Sequence, residues 1–590
     1  MQKWAPRVVL ALAAGALLAQ GTASAADPLR ITKPVQVTKD DLNPGRTYNA
    51  PNLLADPSNP NHIVGAFADF RTRRCNLVRS TDGGQSWKVL SDSSPAPDAY
   101  PSCMQNNSNI FHGELAFGGN GTLYYLTSGW DVEDRELSKL NAPATAAGNR
   151  LGNFSVVLGR STNLGDTWEH TIVRNARGKQ GDQIEDNRPV TGLVVQPRGG
   201  SDDIVHATWQ RSLPAPAAPN QEPNRVMAAV STDGGRTFSE PTDLTSEVFK
   251  STAVRSDALK LQSTVTTLPP AGASTTSTTA PAAGSRVAKP DDAVNFGGRN
   301  PAMTMDGKGN VYVLWHSSTA NLTPAPPLGY FLSKSTDKGK TWSTAQAGSF
   351  DRRNGFGSRL AWSGEGGPNG TLHWVAMGNE DPDIASYGTV YYRQSTDGGA
   401  KWSERKRIPE VDPKELKGQY IPNIATAPNG RIDVAWWDTR DDPGIRSNDV
   451  YYANSNDNGK TWSKNVRITD QSINRTYGVW GTNFDMNSPP GIASTDRVAV
   501  FSWDDTRFTD TKQGDSATLG GGTSDIFSAA VQFEAVGGGT SAATKVVLAG
   551  VVGLMAVGLI LVVVALAARR RAGGPPLAKQ PGAKAPAGVS

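Results

Sequence analysis

Short runs of β-branched and aromatic residues recur from about residue 50 to residue 533, and Gly, Asn and Pro separate them. Typical runs are 311–315, 330–334, 432–436 and 450–454. Runs of this length and composition, bounded by turn residues, predict strands. The pattern therefore predicts an all-β chain built from many short strands.

An eight-residue motif with the pattern S-x-D-x-G-x-T-W recurs along the same region. We call each copy an octet, and the six octets begin at Ser80, Ser161, Ser231, Ser335, Ser395 and Ser455. Their third residues are Asp82, Asn163, Asp233, Asp337, Asp397 and Asp457. Gly after Asp or Asn supplies the positive φ of a tight turn, and the carboxylate accepts backbone N–H bonds within it. The closing Trp or Phe anchors the turn on its own sheet. Each octet is thus predicted to be a structural turn between two strands.

Three strand-like runs precede an octet and a fourth follows it, so each repeat predicts a four-stranded sheet. A last unit has runs at 490–494, 498–503 and 525–533 but lacks the octet. Residues 29–38 are similar to 464–469 and are predicted to supply its missing strand. Joining both ends of the chain in one sheet removes exposed sheet edges. The prediction is a seven-blade β-propeller; six blades is the alternative, because the unit between Phe356 and Trp402 has an irregular first strand.

The two ends of the chain predict export and anchoring. Residues 1–25 have a basic start, an apolar stretch and an A-x-A-like site, the pattern of a secretory signal. Residues 546–568 form an uncharged apolar run that is long enough for a transmembrane helix. The run Arg569 to Arg571 follows it directly, which places the tail 569–590 in the cytoplasm by the positive-inside rule.

This topology predicts a single-pass plasma-membrane protein. Its ectodomain, 27–535, lies outside the cell and is joined to the membrane by a Gly-rich flexible tether, 536–545. A Thr-, Pro- and Ala-rich stretch at 263–285 is predicted to be a low-complexity insertion in the propeller.

Charge and cysteine content restrict the function further. The net charge is only +4, and the ectodomain has no basic stretch interleaved with aromatic residues, so nucleic acid is not a predicted partner. The two cysteines, Cys75 and Cys103, make one disulfide plausible in an oxidising compartment.

With its octets, the ectodomain resembles the sialidase-like superfamily of Asp-box (BNR-repeat) propellers. In that family the boxes lie on the rim away from the active site. True sialidases use an F-R-I-P arginine within an arginine triad, an Asp acid and a Tyr/Glu nucleophile pair. Here Asn49, within Tyr48 to Pro51, stands in place of that arginine, and the short loop 72–74 contains no Asp. These departures argue against sialidase activity. Residues 66–71 are similar to the family's A-F-A-E-x-R, which makes Asp69 and Arg71 ligand-binding candidates.

Further candidates lie just before predicted innermost strands. Arg188, Arg299 and Arg359 share this position, so three guanidinium groups could meet at the mouth of the central funnel. The alternative is that each binds backbone carbonyls or a neighbouring carboxylate. The same choice applies to the pairs Asp438/Arg440 and Asp505/Arg507, where inter-blade salt bridges are the favoured interpretation.

Three residues are of the nucleophile type, Glu185, Tyr420 and Tyr477, and Tyr420 is retained as a ligand-binding candidate. The histidines show no metal-binding spacing, so neither a metal nor a cofactor is predicted. Asp441 and Asp442 are the one pair that could hold Ca²⁺, with an exposed turn as the preferred alternative.

These observations predict a membrane-anchored propeller that binds a glycan or an extracellular or cell-envelope protein at its funnel. The alternative is a divergent exo-sialidase, or a related glycoside hydrolase, with its acid and nucleophile in unaligned loops. A structural assembly factor that uses the outer rims is a third hypothesis.

Overall fold

The computed structural model describes residues 29–39, 48–69, 74–90, 101–102, 104–105, 109–110, 113–130, 154–174, 186–188, 192–198, 202–212, 224–245, 297–318, 328–350, 358–366, 370–378, 388–412, 415, 417–442, 444, 446–478, 488–509 and 523–533. The predicted signal, low-complexity insertion, tether, transmembrane segment and tail lie outside these residues. Within the described ranges, no helix has both the length and the apolar composition of a membrane span.

The first half of the chain contains β1 to β18. Two short strands come first, β1 (Arg30–Ile31) and β2 (Val35–Gln36). Blade 1 is β3 (Tyr48–Asp56), β4 (Asn59–Asp69), β5 (Arg74–Ser80) and β6 (Lys88–Val89). Three short strands follow, β7 (Pro101–Ser102), β8 (Met104–Gln105) and β9 (Asn109–Ile110). Blade 2 is β10 (Glu114–Phe117), β11 (Leu123–Trp130), β12 (Phe154–Ser161) and β13 (Glu169–Arg174), with a 3₁₀ turn at Gly119–Gly121. Blade 3 is β14 (Asp186–Arg188), β15 (Leu193–Gln196), β16 (Ile204–Ser212), β17 (Asn224–Ser231) and β18 (Thr242–Asp243).

The second half contains β19 to β34. Blade 4 is β19 (Gly297–Met305), β20 (Val311–Ser318), β21 (Leu328–Ser335) and β22 (Ser343–Phe350). Blade 5 is β23 (Arg359–Ser363), β24 (Thr371–Gly378), β25 (Thr389–Ser395) and β26 (Lys406–Arg407). Blade 6 is β27 (Gln419–Thr426), β28 (Ile432–Asp438), β29 (Ser447–Ser455), β30 (Val466–Arg467) and the short β31 (Ile473–Asn474). Blade 7 is β32 (Gly491–Ser494), β33 (Val498–Asp505) and β34 (Asp525–Gln532).

The described strands form a closed ring of seven blades. In each blade the strands pair antiparallel and in chain order, except that β14 and β15 both pair with β16 in blade 3, and β30 and β31 both pair with β29 in blade 6. The first strand of every blade contacts the first strand of the next, from β3 through β10, β15, β19, β23, β27 and β32 back to β3. These strands therefore line the centre, and the seven-blade prediction is confirmed. The short β7 pairs with both β5 and β11 and joins the sheets of blades 1 and 2, a feature that the sequence pattern did not predict.

The ring closes as predicted. Both β1 and β2 pair antiparallel with β34, where Arg30 lies opposite Gln532 and Val35 opposite Ser528. Thr38 then donates a hydrogen bond to Asp525 at 2.9 Å. The N-terminal segment thus supplies the outer strand of blade 7.

A hydrophobic core fills each of the seven blade interfaces. The buried residues form seven clusters, and each cluster joins two neighbouring blades. Trp209, Trp315, Trp374, Trp436 and Trp503 are among the largest fully buried side chains. Since burying such a side chain contributes roughly 1.5–3 kcal/mol, these clusters are the main source of the ring's stability.

The octets have a common hydrogen-bond pattern, shown here for the fourth copy. The Ser335 hydroxyl donates to Asp337 Oδ1 at 2.9 Å and accepts the Gly339 N–H at 2.8 Å. Asp337 also accepts the Thr341 N–H at 2.9 Å and its hydroxyl at 2.5 Å. The Thr341 hydroxyl and N–H hold the pKa of Asp337 at about 2. Each carboxylate thus belongs to its own turn.

Octet glycines also bring neighbouring blades together. A methyl group on Gly399 of blade 5 would lie 2.1 Å from Leu332 of blade 4. One on Gly459 of blade 6 would lie 2.1 Å from the Tyr392 hydroxyl of blade 5. The close approach, together with a positive φ at both positions, explains why glycine occupies them.

Candidate functional site

The ring has two ends. The third strand of a blade runs toward its octet, so we call this end the octet face. The first strands start at the opposite end, which we call the funnel face. The backbones of Arg188, Arg299 and Arg359 all lie at this opposite end, in β14, β19 and β23 of three consecutive blades. For Arg188, Arg299 and Asp69 the structure describes the backbone alone, and Arg71 and Glu185 lie outside the described residues.

Three first strands contain the same irregular turn at the funnel end. Ala50, Asn300 and Ile421 have φ values of 58°, 47° and 47°, and each precedes a proline. The pairing register shifts at each of these positions. A positive φ is unusual for a β-branched residue such as Ile421, and strained residues of this kind cluster at functional sites.

Asn49, Arg299 and Tyr420 each directly precede the positive-φ residue of this turn. They therefore occupy equivalent positions of blades 1, 4 and 6. Asn49, which stands where the resemblance expects arginine, is only 2% exposed. Its amide donates to Asp504 Oδ2 of blade 7 at 2.6 Å, and Asp504 is also 2% exposed. The Asn49 amide is therefore held by a buried carboxylate of the neighbouring blade.

A second asparagine of the same strand contacts a second carboxylate. Asn52 donates to Glu114 Oε2 at 3.3 Å, and Glu114 is the first residue of the inner strand of blade 2. Sequence reasoning missed Glu114, although its place at the start of an inner strand is the signal that selected the arginines.

Arg359 lies opposite this carboxylate. Burial lowers the pKa of Arg359, and the negative charge of Glu114 opposes that shift. Blades 2 and 5 are not neighbours in the ring, so the two charges interact across its centre. Arg359 as a residue is half-buried.

Arg359 has few partners of its own. Its Nη1 donates to the Ser358 carbonyl at 3.0 Å, and the Ser358 hydroxyl accepts the Trp374 indole N–H at 2.8 Å. Among the described residues, no carboxylate lies within 4.0 Å of the guanidinium. Its remaining N–H donors are therefore available to an anionic group that enters the funnel.

Tyr420 is held inside blade 6. Its hydroxyl accepts the Asn448 amide at 2.7 Å, and the Arg475 guanidinium lies 5.3 Å from its ring centroid. At 6% exposure, the side chain supports the core of the blade next to the funnel. Tyr477 is half-buried in the turn that follows β31.

The two Asp-Thr-Arg segments have mainly structural contacts. Arg440 and Arg507 donate to Asp438 and Asp505, two residues earlier, at 2.6 and 2.8 Å. These contacts lie within one blade, unlike the predicted inter-blade bridges. One inter-blade bridge is present, because Arg507 also donates to Asp470 of blade 6 at 2.8 Å.

Asp441 and Asp442, the pair that could hold Ca²⁺, both accept hydrogen bonds from the surrounding chain. Asp442 accepts the backbone N–H groups of Gly444, Arg446 and Ser447 at 2.6–2.9 Å, the arrangement of an exposed turn. Asp441 accepts the Tyr451 hydroxyl at 2.6 Å. Among the described residues, no group of three or more His, Cys, Asp or Glu side chains is placed to hold a metal ion.

Cys75 is disulfide-bonded, and its sulfur lies 3.4 Å from the Thr127 hydroxyl. Cys103, the other cysteine of the sequence, lies outside the described residues, so the pairing itself stays a prediction.

The closed ring of four-stranded blades with its recurring octet turn defines the class of the fold, a seven-blade β-propeller. No family model matches the sequence, and no curated protein matches it. Solved structures similar to the chain include a protein of unknown function from Dyadobacter fermentans, with 13% identity, a TM-score of 0.38, and coverage of 86% of this chain and 99% of that chain.

Two further similar structures carry glycosidase names. A Hadza microbial sialidase has 13% identity and a TM-score of 0.38, over 80% of this chain and 76% of that chain. The GH93 α-L-arabinofuranosidase of Fusarium graminearum, in complex with arabinobiose, has 12% identity and a TM-score of 0.37, over 69% of this chain and 92% of that chain. At TM-scores below 0.5, these likenesses carry no argument about the ligand or chemistry of this chain.

Proposed function

We propose that this protein is a membrane-anchored extracellular propeller that binds an acidic glycan at its funnel without hydrolysing it. The observation that supports the proposal is Arg359, a half-buried residue whose guanidinium donates to one backbone carbonyl and has a distant counter-charge in Glu114. Planar guanidinium groups bind carboxylates through paired, charge-assisted hydrogen bonds. The funnel is therefore suited to a sugar that carries a carboxylate.

Asn49 and Asp504 support the proposal of binding without hydrolysis. Glycoside hydrolysis requires an acid and a nucleophile or base on either side of the scissile bond. Asp504 is buried and hydrogen-bonded to Asn49, which keeps it from a substrate in the funnel. The loop after β4, residues 70–73, also contains no carboxylate.

The anchor and the location are proposed from the sequence. The run 546–568 and the arginines after it support a single-pass helix with the ectodomain outside the cell. Residues 1–25 support export.

The test uses the full chain, purified in detergent and applied to an array of neutral, uronic-acid and sialic-acid glycans. We expect binding to carboxylated glycans, weakened about tenfold to a hundredfold in Arg359→Gln because hydrogen bonds to a charged group contribute about 1.5–3 kcal/mol. Arg405→Gln is the matched control, since Arg405 stacks on Tyr391 away from the funnel, with 4.9 Å between its guanidinium and the ring centroid. Equal loss in both variants, or binding to neutral glycans alone, would overturn the proposal.

A divergent exo-sialidase is the second candidate, and the shared strand positions of Arg188, Arg299 and Arg359 favour it. It predicts that the full chain hydrolyses a fluorogenic sialoside and that Arg359→Gln removes this activity. The proposed binding function predicts no hydrolysis by either protein.

A further inference from the structure

Two carboxylates lie beside the inner strand of blade 1, one on each side of it. Asn49 of β3 donates to Asp504 of blade 7 at 2.6 Å, and Asn52 of the same strand donates to Glu114 of blade 2 at 3.3 Å. A side-chain amide that donates to a carboxylate restricts where the carboxylate can lie. The strand of blade 1 thus holds an acidic group on either side at the funnel.

The guanidinium of Arg359 lies across the ring from Glu114. Arg359 begins β23 of blade 5 and Glu114 begins β10 of blade 2, and both strands belong to the inner layer. Blades 2 and 5 are three steps apart, which is the largest separation that a ring of seven allows. The charge of Glu114 still opposes the lowering of the Arg359 pKa by burial, so the two groups interact through the centre. Opposite charges therefore face each other across the funnel.

Water screens this pair only in part. Glu114 and Arg359 are both half-buried. Charges that are partly removed from solvent act over longer distances than fully exposed ones. The funnel should therefore attract an anionic group at Arg359 and repel a second one that approaches Glu114.

We infer that Glu114 determines specificity at the funnel: the site accepts an acidic sugar whose one anionic group is directed toward Arg359, and it rejects a sugar with a second anionic group on the side of Glu114. The inference rests on the proposed binding function and restricts its ligands to singly charged acidic glycans. Discrimination of this kind comes from repulsion of the wrong ligand and needs no additional contact with the right one.

The test compares matched pairs of glycans on the array. Each pair consists of a uronic-acid or sialic-acid glycan and the same glycan with one sulfate on a sugar that lacks the carboxylate. Titration of the full chain in detergent should show roughly tenfold tighter binding of the unsulfated member, the factor that corresponds to two like charges about 10 Å apart at an effective dielectric constant of about 20. High salt should reduce this preference, because ions screen the repulsion.

The variants separate the charge of Glu114 from its shape. Glu114→Gln keeps the shape and an oxygen for the Asn52 amide, and without the charge the two members of a pair should bind within about twofold of each other. Glu114→Asp keeps the charge, so most of the preference should remain. Glu404→Gln is the matched control, because Glu404 is exposed just after the fifth octet, at the other end of the ring, and its preference should equal that of the wild type.

An unchanged preference in Glu114→Gln, with binding of the unsulfated glycan intact, would overturn the inference and leave the proposed function standing. Equal binding of both members by the wild type would overturn the inference in the same way. A wild type that binds no carboxylated glycan would refute the proposed function, and the inference with it.

Discussion

The two faces of the ring differ in how regular they are. On the octet face, six turns share one hydrogen-bond pattern, and the five Asp carboxylates and the Asn163 amide oxygen accept hydrogen bonds inside their own turns. On the funnel face, equivalent positions hold Asn49 in blade 1, Arg299 in blade 4 and Tyr420 in blade 6. Repetition here marks what every blade needs in order to fold, and variation marks where one ligand can be recognised.

The largest expected effect is on the repeated face. Gly459→Ala should destabilise the protein by about 3 kcal/mol, because a methyl group would clash with Tyr392 at a positive φ of 79°. Gly83→Ala is the matched control: its φ is 72°, but nothing lies within 4 Å of the new methyl group. Denaturant unfolding should show a clearly smaller loss for Gly83→Ala. Equal losses would mean that the inter-blade contact contributes little.

The next effect concerns acid stability at the interface of blades 3 and 4. His206 of β16 is buried against Val230 and the octet glycine Gly339, and neither ring nitrogen has a hydrogen-bond partner among the described residues. Burial lowers the pKa of His206 from 6.5 to about 4. The folded state thus favours the neutral ring, and between pH 6.5 and pH 4 the unfolded chain binds more protons.

The contribution of His206 to the free energy of unfolding is complete above about pH 6.5. It is lost as the pH falls toward 4, and the loss is about 3 kcal/mol at most. His206→Leu should flatten that part of the unfolding profile. Burial also lowers the pKa of His373, to about 3. The contribution of His373 to the pH dependence should remain in the His206→Leu variant. An unchanged profile in His206→Leu would contradict this account.

The smallest effect separates the two faces directly. Asp337→Ala removes hydrogen bonds of one exposed turn, so it should lower the unfolding midpoint less than Gly459→Ala does. Glycan binding should be unchanged, because the turn lies at the opposite end from Arg359. Clean loss of binding with an intact fold would place function on the octet face.

Strand order and ring closure could be predicted because they depend on local patterns. The predicted run 432–436, for example, lies within Ile432–Asp438, and the N-terminal segment pairs with β34 as its similarity to 464–469 suggested. The departure at Asn49 was also visible in the sequence. These features repeat, and repetition can be recognised in a single chain.

The contacts across the funnel could not be predicted in the same way. Glu114 interacts with Arg359, and Asn49 with Asp504, only because a seven-blade ring closes with those blades in those places. Positive φ at Ile421 is likewise imposed by the inner-strand turn and contradicts the residue's own preference. Such features depend on tertiary geometry, which residue spacing does not encode.

The central claim is that the funnel around Arg359 binds a carboxylated glycan and leaves it intact. The most direct measurement is ¹H NMR of the full chain with a glycan selected on the array, recorded over a long incubation beside Arg359→Gln. We predict line broadening of the sugar signals by the wild type only, and no released monosaccharide in either sample. Release of a monosaccharide by the wild type that stops in Arg359→Gln would contradict the account and identify an enzyme.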